Sequence, residues 1–122
     1  MNKYTKVVFD DWVYGTAAVY TSAGLNEFLS RCNSMALQAI VDQATGTAPT
    51  LTVTKETACD ERNFVTATTF FSAQALVAAS TNVFVGSGGD RAAGSTRLNI
   101  TLGGTTPVAH VKLIVTKRTE LG

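Results

Sequence analysis

The chain is poor in histidine, cysteine and charge, and each scarcity removes a class of function. There is one histidine. A Ser-His-Asp or Cys-His pair would have to use it, and no nucleophile sits in a recognisable motif around His110. That residue lies inside a strand-like stretch beside Lys112 and is expected to be a surface or interface histidine. A zinc centre needs more His or Cys ligands than one His and two Cys can supply. Cys32 and Cys59 do not have the spacing of a zinc motif. They are expected as two reduced, buried or half-buried thiols, a disulfide between adjacent strands being the alternative.

Charged residues make up 16% of the chain, against roughly 25% in an ordinary soluble domain. Ten basic and nine acidic residues are scattered along it, with no basic block longer than Lys117-Arg118. A nucleic-acid backbone is held by clustered cations, so no direct nucleic-acid partner is expected. No stretch approaches the roughly 18 apolar residues of a membrane span. Met1-Asn2-Lys3-Tyr4 opens without a continuous apolar segment behind it, which argues against a signal peptide and for synthesis in the cytoplasm. The glycine-rich run Gly86 to Gly94 has no lysine, so it fails as a phosphate-binding loop and is expected to be a surface loop. No enzyme activity, cofactor, metal site or membrane contact is expected.

What the chain has instead is Val, Ile and Thr in short runs punctuated by turns. These residues are stiff at χ1 and suit a pleated, half-buried surface. The 122 residues fit one domain, 1–122. Met35, Leu37, Ala39 and Val41 share one face by the two-residue period, with Gln38, Ile40 and Asp42 on the other. Leu51 and Val53 alternate with Thr50, Thr52 and Thr54. The glycine and proline of Gln43 to Pro49 predict an antiparallel hairpin between these two strands. Arg97 to Leu102 and Val108 to Lys117 predict a second, closing hairpin across Gly103 to Pro107. Val111, Leu113 and Val115 form its apolar row.

Tyr4 to Phe9 and Thr16 to Thr21 are further strand candidates, with Asp10-Asp11 as a turn after the first. Leu25, Phe28 and Leu29 have helix-like spacing, suiting a single turn or an irregular loop. Glu56 to Asn63 is expected as a polar turn, Phe64 to Phe71 as a strand, Ala73 to Ala79 as a strand or brief helix, and Asn82 to Val85 as a short strand. About eight strands with regular turn signals point to an all-β, antiparallel β-sandwich or barrel.

Two groups of residues merit a site reading. Asp10 and Asp11 could join Asp60 and Glu61 as paired carboxylates or a Ca²⁺ site, but adjacent acids on a strand point to opposite faces. Trp12 and Tyr14 share a face. Exposed aromatics of this kind stack on sugars or anchor interfaces, and the alternative is that they cap one end of the core.

Ala36 to Gln43, Gly46 to Val53, Asp60 to Phe64, Arg97 to Gly104 and Ala109 to Val115 together resemble small jelly-roll or β-sandwich virion proteins of tailed bacteriophages. The shared order is a strand, a Gly-Thr-x-Pro turn, an alternating Thr/Leu/Val strand and a polar loop before an aromatic. The loop at Asp60-Glu61-Arg62-Asn63 departs from the pattern in lacking a glycine. The resemblance implies a jelly-roll-like structural virion protein of the capsid decoration (cement) type. Such a protein would associate with itself as a homodimer or homotrimer and bind a major capsid protein, holding the head against internal pressure. Its place would be the virion. Trp12 and Tyr14 are the candidate subunit interface. The alternatives are a carbohydrate- or receptor-binding β-sandwich, with Trp12 or Tyr14 as the stacking platform, and another head or tail component.

Overall fold

The computed structural model describes residues 2–21, 34–60, 62–78, 80–88 and 95–119. Six strands run through them: β1 (Asn2–Tyr14), β2 (Val19–Thr21), β3 (Ser34–Ala58), β4 (Val65–Ala75), β5 (Asn82–Gly88) and β6 (Ser95–Thr119). Every pairing is antiparallel.

β3 and β6 are each 25 residues long and pair with each other from Ser34↔Arg118 to Ala58↔Ser95. Fully extended, such a ribbon would span about 80 Å, while a domain of this length has a radius of gyration of only about 14 Å. The ribbon therefore folds over at its middle. The flanking strands show where. β5 pairs with Met35–Val41 of β3 and β4 with Thr50–Thr57, yet the rings of Phe71 on β4 and Phe84 on β5 lie 5.8 Å apart. On the other side, β1 pairs with the second half of β6 and β2 with the first half. There the Thr21 hydroxyl donates to the Val8 carbonyl at 3.0 Å, at the bulge where the β1 register slips between Val7 and Phe9.

The result is an antiparallel β-sandwich of jelly-roll type. One layer runs β5, first half of β3, second half of β6, β1. The other runs β4, second half of β3, first half of β6, β2. Six continuous strands thus supply eight strand segments, in line with the sequence expectation.

The core lies between the layers. Met35, Leu37, Ala39, Val41, Val111, Leu113 and Val115 face it from the first layer, and Leu51, Val53, Leu98, Ile100 and Leu102 from the second. Each large aliphatic side chain so buried contributes about 1.5–3 kcal/mol of transfer free energy.

The fold-over corrects both expected hairpins. The two halves of β3 do not pair with one another, nor do those of β6; each pairs with the other strand. Gly46 (φ 109°) and Gly104 (φ 105°) are corners within continuous strands. A Cβ on Gly46 would sit 2.9 Å from the Thr105 and Thr106 carbonyl oxygens, and one on Gly104 would sit 2.6 Å from that of Thr47. The glycines are there because the two corners are pressed backbone against backbone. Pro49 and Pro107 are buried beside them. Their carbonyls accept from the N–H groups of Leu76 (2.9 Å) and Gly15 (2.7 Å).

Other boundaries shift. Asp10 and Asp11 do not form a turn, because β1 runs through them. β3 extends through Glu56, β4 reaches Ala75 and β5 reaches Gly88. Cys59 is an exposed free thiol rather than a buried one. Cys32, the helix-like Leu25 to Leu29 and the run from Gly89 to Gly94 lie outside the described residues.

Candidate functional site

Strand pairing places side chains from four strands on the outer face of the first layer. Trp12, His110 and Asp42 fall in one row across β1, β6 and β3. Asp10, Lys112, Ile40 and Val83 fall in the next, and Val7, Ile114, Gln38 and Val85 in another. The apolar members are well exposed at the flanks: Tyr14 is 68% accessible, Val85 69%, Val83 52% and Val7 46%. Ile40 and Ile114 between them are half-buried.

Trp12 and Tyr14, two residues apart on β1, hold their rings 27° from parallel with centroids 6.5 Å apart. The structure thus puts them on one face, and they do not cap the core. Trp12 meets His110 edge-on at 5.4 Å. The imidazole is gripped from both sides, with Nε2 3.0 Å from Asp10 Oδ1 and Nδ1 2.8 Å from Asp42 Oδ1. His110 is therefore a surface histidine that ties three strands together. Its flanking carboxylates were not expected from the sequence. Only the structural register, which sets β1 and β3 on either side of β6, brings them there.

The outer face of the second layer has a different chemistry. Thr50, Thr52, Thr54 and Glu56 stand on β3 opposite Gly103, Thr101, Asn99 and Arg97 of β6. Glu56 accepts from Arg97 Nε at 2.7 Å and from Asn99 Nδ2 at 3.0 Å. Asn99 Oδ1 in turn accepts from the Thr101 hydroxyl at 2.9 Å. The Arg97 guanidinium lies against two rings, 3.9 Å from the Tyr20 centroid and 4.1 Å from that of Phe64. Sequence reasoning missed this cluster. Its only trace was the polar row Arg97, Asn99, Thr101 alternating with Leu98, Ile100 and Leu102.

Asp10, Asp11 and Asp60, weighed in the sequence as possible paired carboxylates, each have a different partner. Asp10 belongs to the His110 group, Asp11 accepts from the Trp12 N–H, and Asp60 closes its own loop between β3 and β4. The backbone N–H groups of Asn63 (2.8 Å) and Arg62 (3.0 Å) donate to Asp60 Oδ1, and the Asn63 side-chain amide donates to Oδ2. These donors, the Asn63 backbone first, hold the Asp60 carboxyl down at about 2. Glu61 lies outside the described residues.

No family model matches the sequence, and no curated protein does so. Solved structures do. The chain is similar to the CBM22-1 xylan-binding domain of Paenibacillus barcinonensis Xyn10C, with a TM-score of 0.65 at 10% identity over 99% of this chain and 100% of that one. It is similar to the CBM22-1–GH10 modules of Clostridium thermocellum endo-1,4-β-D-xylanase 10B, with a TM-score of 0.63 at 13% identity over 99% of this chain and 25% of that one. VP2 of infectious bursal disease virus matches with a TM-score of 0.59 at 14% identity over 94% of this chain and 31% of that one. The chain thus spans about a third of the VP2 protein. At these identities the likeness is one of architecture: the β-sandwich found here is also the scaffold of a xylan-binding domain and of part of a protein of virus particles.

Proposed function

We propose that this chain is a structural virion protein of the decoration type, docking through the outer face of its first layer. One observation carries the reading. Val7, Trp12, Tyr14, Val83 and Val85 stand exposed on a single sheet face, with half-buried Ile40 and Ile114 between them. Exposed apolar and aromatic side chains interleaved with polar groups on one face suit a protein interface. Asp10, His110 and Asp42 on the same face are paired with one another, which lowers the desolvation cost of burying them. The jelly roll shared with VP2, a protein of virus particles, supports the virion setting. The resemblance of the sequence to small virion proteins of tailed bacteriophages favours an accessory head protein within that setting. The partners are a second copy, in a dimer or trimer, and a major capsid protein. Trp12 and Tyr14 are the anchors, because large aromatics carry a disproportionate share of the affinity of an interface.

Light scattering on the purified chain tests this. The expected result is a dimer or trimer whose dissociation constant rises by about 30-fold in Trp12→Ala, the effect of losing roughly 2 kcal/mol at an anchor. A strict monomer at high concentration, with Trp12→Ala indistinguishable from it, would sink the reading.

A second reading has its own observation. Two near-parallel rings beside the fixed polar group Asp10–His110–Asp42 also suit a sugar platform, and one similar structure is a xylan-binding domain. Glycan binding abolished by Trp12→Ala in a monomeric protein favours that reading over the first.

A further inference from the structure

We propose that the outer face of the second layer carries a site for neutral carbohydrate, built on Tyr20, Phe64 and Arg97. It lies across the sandwich from the proposed docking face, so it does not depend on that reading and stays open to solvent when the first layer is covered.

The case rests on shape, donors and charge. Tyr20 is 49% exposed and lies against the Arg97 guanidinium, which also meets the half-buried Phe64. The guanidinium covers one face of the Tyr20 ring, and the exposed remainder of the ring would receive the C–H face of a pyranose. The guanidinium does not need to be ordered by a ligand, because Glu56 holds its Nε at 2.7 Å. Among the described residues it is bonded through Nε alone, and its two terminal nitrogens would be the donors to ring hydroxyls. Asn99 gives Glu56 one bond from its amide nitrogen and keeps a second proton to offer. Thr52, Thr54 and Thr101 extend the row with hydroxyls; Thr101 donates its proton to Asn99 and keeps acceptor capacity, while Thr52 accepts from the Ala73 N–H and keeps its proton to donate. A pre-ordered cluster of this kind loses little entropy on binding.

Charge selects among ligands. Glu56 neutralises Arg97 within the cluster. An anion therefore meets a carboxylate beside the cation, and the attraction that a lone arginine would give is cancelled. A polyhydroxyl ligand needs donors and acceptors rather than net charge, and the cluster supplies both.

Amide chemical shifts of the full chain, titrated separately with xylohexaose as a neutral probe and with hexagalacturonate as an acidic one, test the proposal. Saturable shifts centred on Tyr20, Arg97 and Asn99 with xylohexaose are expected. Tyr20→Ala should weaken that binding by about tenfold or more through loss of the stacking face, and Trp12→Ala should leave it unchanged. Arg97→Lys keeps the charge but loses the flat stack and the Glu56 geometry, and it should weaken binding even if Tyr20→Ala fails to fold. Shifts that instead follow Trp12 and Tyr14, tighter binding of the acidic probe, or no saturable shift with either probe would overturn it.

Discussion

The two outer faces of the sandwich are made by the same ribbon and have opposite chemistry. β3 presents Ala36, Gln38, Ile40 and Asp42 on the first layer and Thr50, Thr52, Thr54 and Glu56 on the second. β6 does the same, with Val108, His110, Lys112 and Ile114 on one face and Arg97, Asn99 and Thr101 on the other. The inward rows of both halves are mainly aliphatic, with Lys55 and Thr96 buried at the far end of the second. The lesson is that the core rows fix the fold, while the fold-over lets one strand pair serve two unrelated surfaces. One surface sets exposed aromatic and aliphatic side chains around a paired Asp–His–Asp group; the other is hydroxyl-rich and organised around a stacked arginine.

The comparison breaks outright if the corner breaks. Gly104→Ala forces a left-handed φ on a residue with a Cβ and drives that Cβ into the Thr47 and Ala48 carbonyl oxygens at 2.6 and 2.7 Å. Strain of this kind costs about 1–3 kcal/mol before the clash is counted. We expect a loss of at least about 2 kcal/mol in urea unfolding. Gly15→Ala is the control. Its φ is also positive at 73°, but nothing lies within 4 Å of the added atom, so about 1 kcal/mol is expected. Equal losses at the two positions would mean that the corner packing is not what requires Gly104.

Much of this architecture was legible from the chain. The two-residue period placed Met35 to Val41, Leu51, Val53 and Val111 to Val115 in the core, because alternation on a pleated strand is a local property. The partner of each strand was not legible. Gly46 and Pro49 between two strands carry the same signal whether the chain reverses as a hairpin or turns a corner with another strand pressed against it. The distinction lies in Thr105 to Pro107, some sixty residues away. The aromatic pair Trp12 and Tyr14 could be assigned to one face by parity alone. The Arg97 cluster could not be assembled that way, since it draws on four segments that only the register brings together.

A smaller effect sharpens the contrast between the faces. Each carries an acidic residue hydrogen-bonded to a cationic or imidazole partner, but they are not equally buried. The Glu56 side chain is 11% exposed and that of Asp42 is 43% exposed. Glu56→Gln keeps the shape and leaves the Arg97 charge without its counter-ion in a partly buried setting. It should cost about 1–2 kcal/mol. Asp42→Asn acts where water screens the interaction and should cost under about 0.5 kcal/mol. Denaturation midpoints of the two variants measure this directly. If Asp42→Asn proves the more damaging, the first face owes its order to the His110 contacts and not to the apolar rows beneath it.

The smallest expected effect concerns the loop that delivers Phe64 to the second face. Asp60 accepts from the Asn63 and Arg62 backbone N–H groups and is held down at about 2, against an ordinary 3.8. A carboxyl whose folded value is depressed contributes its stabilisation above the unfolded value and loses it as the pH falls through the folded one. The loop should therefore keep its closure at neutral pH and lose it between about pH 4 and pH 2. Because the group is fully exposed, the change should be confined to the loop and leave global stability nearly untouched. The amide signals of Arg62 and Asn63 should move together with a midpoint near 2, while those around Trp12 and Val83 do not follow. In Asp60→Ala these two amides should shift little with pH and exchange faster at neutral pH. A midpoint near 4 in the parent chain would mean that the amides do not hold the carboxylate and that Phe64 is positioned by its stacking on Arg97 alone.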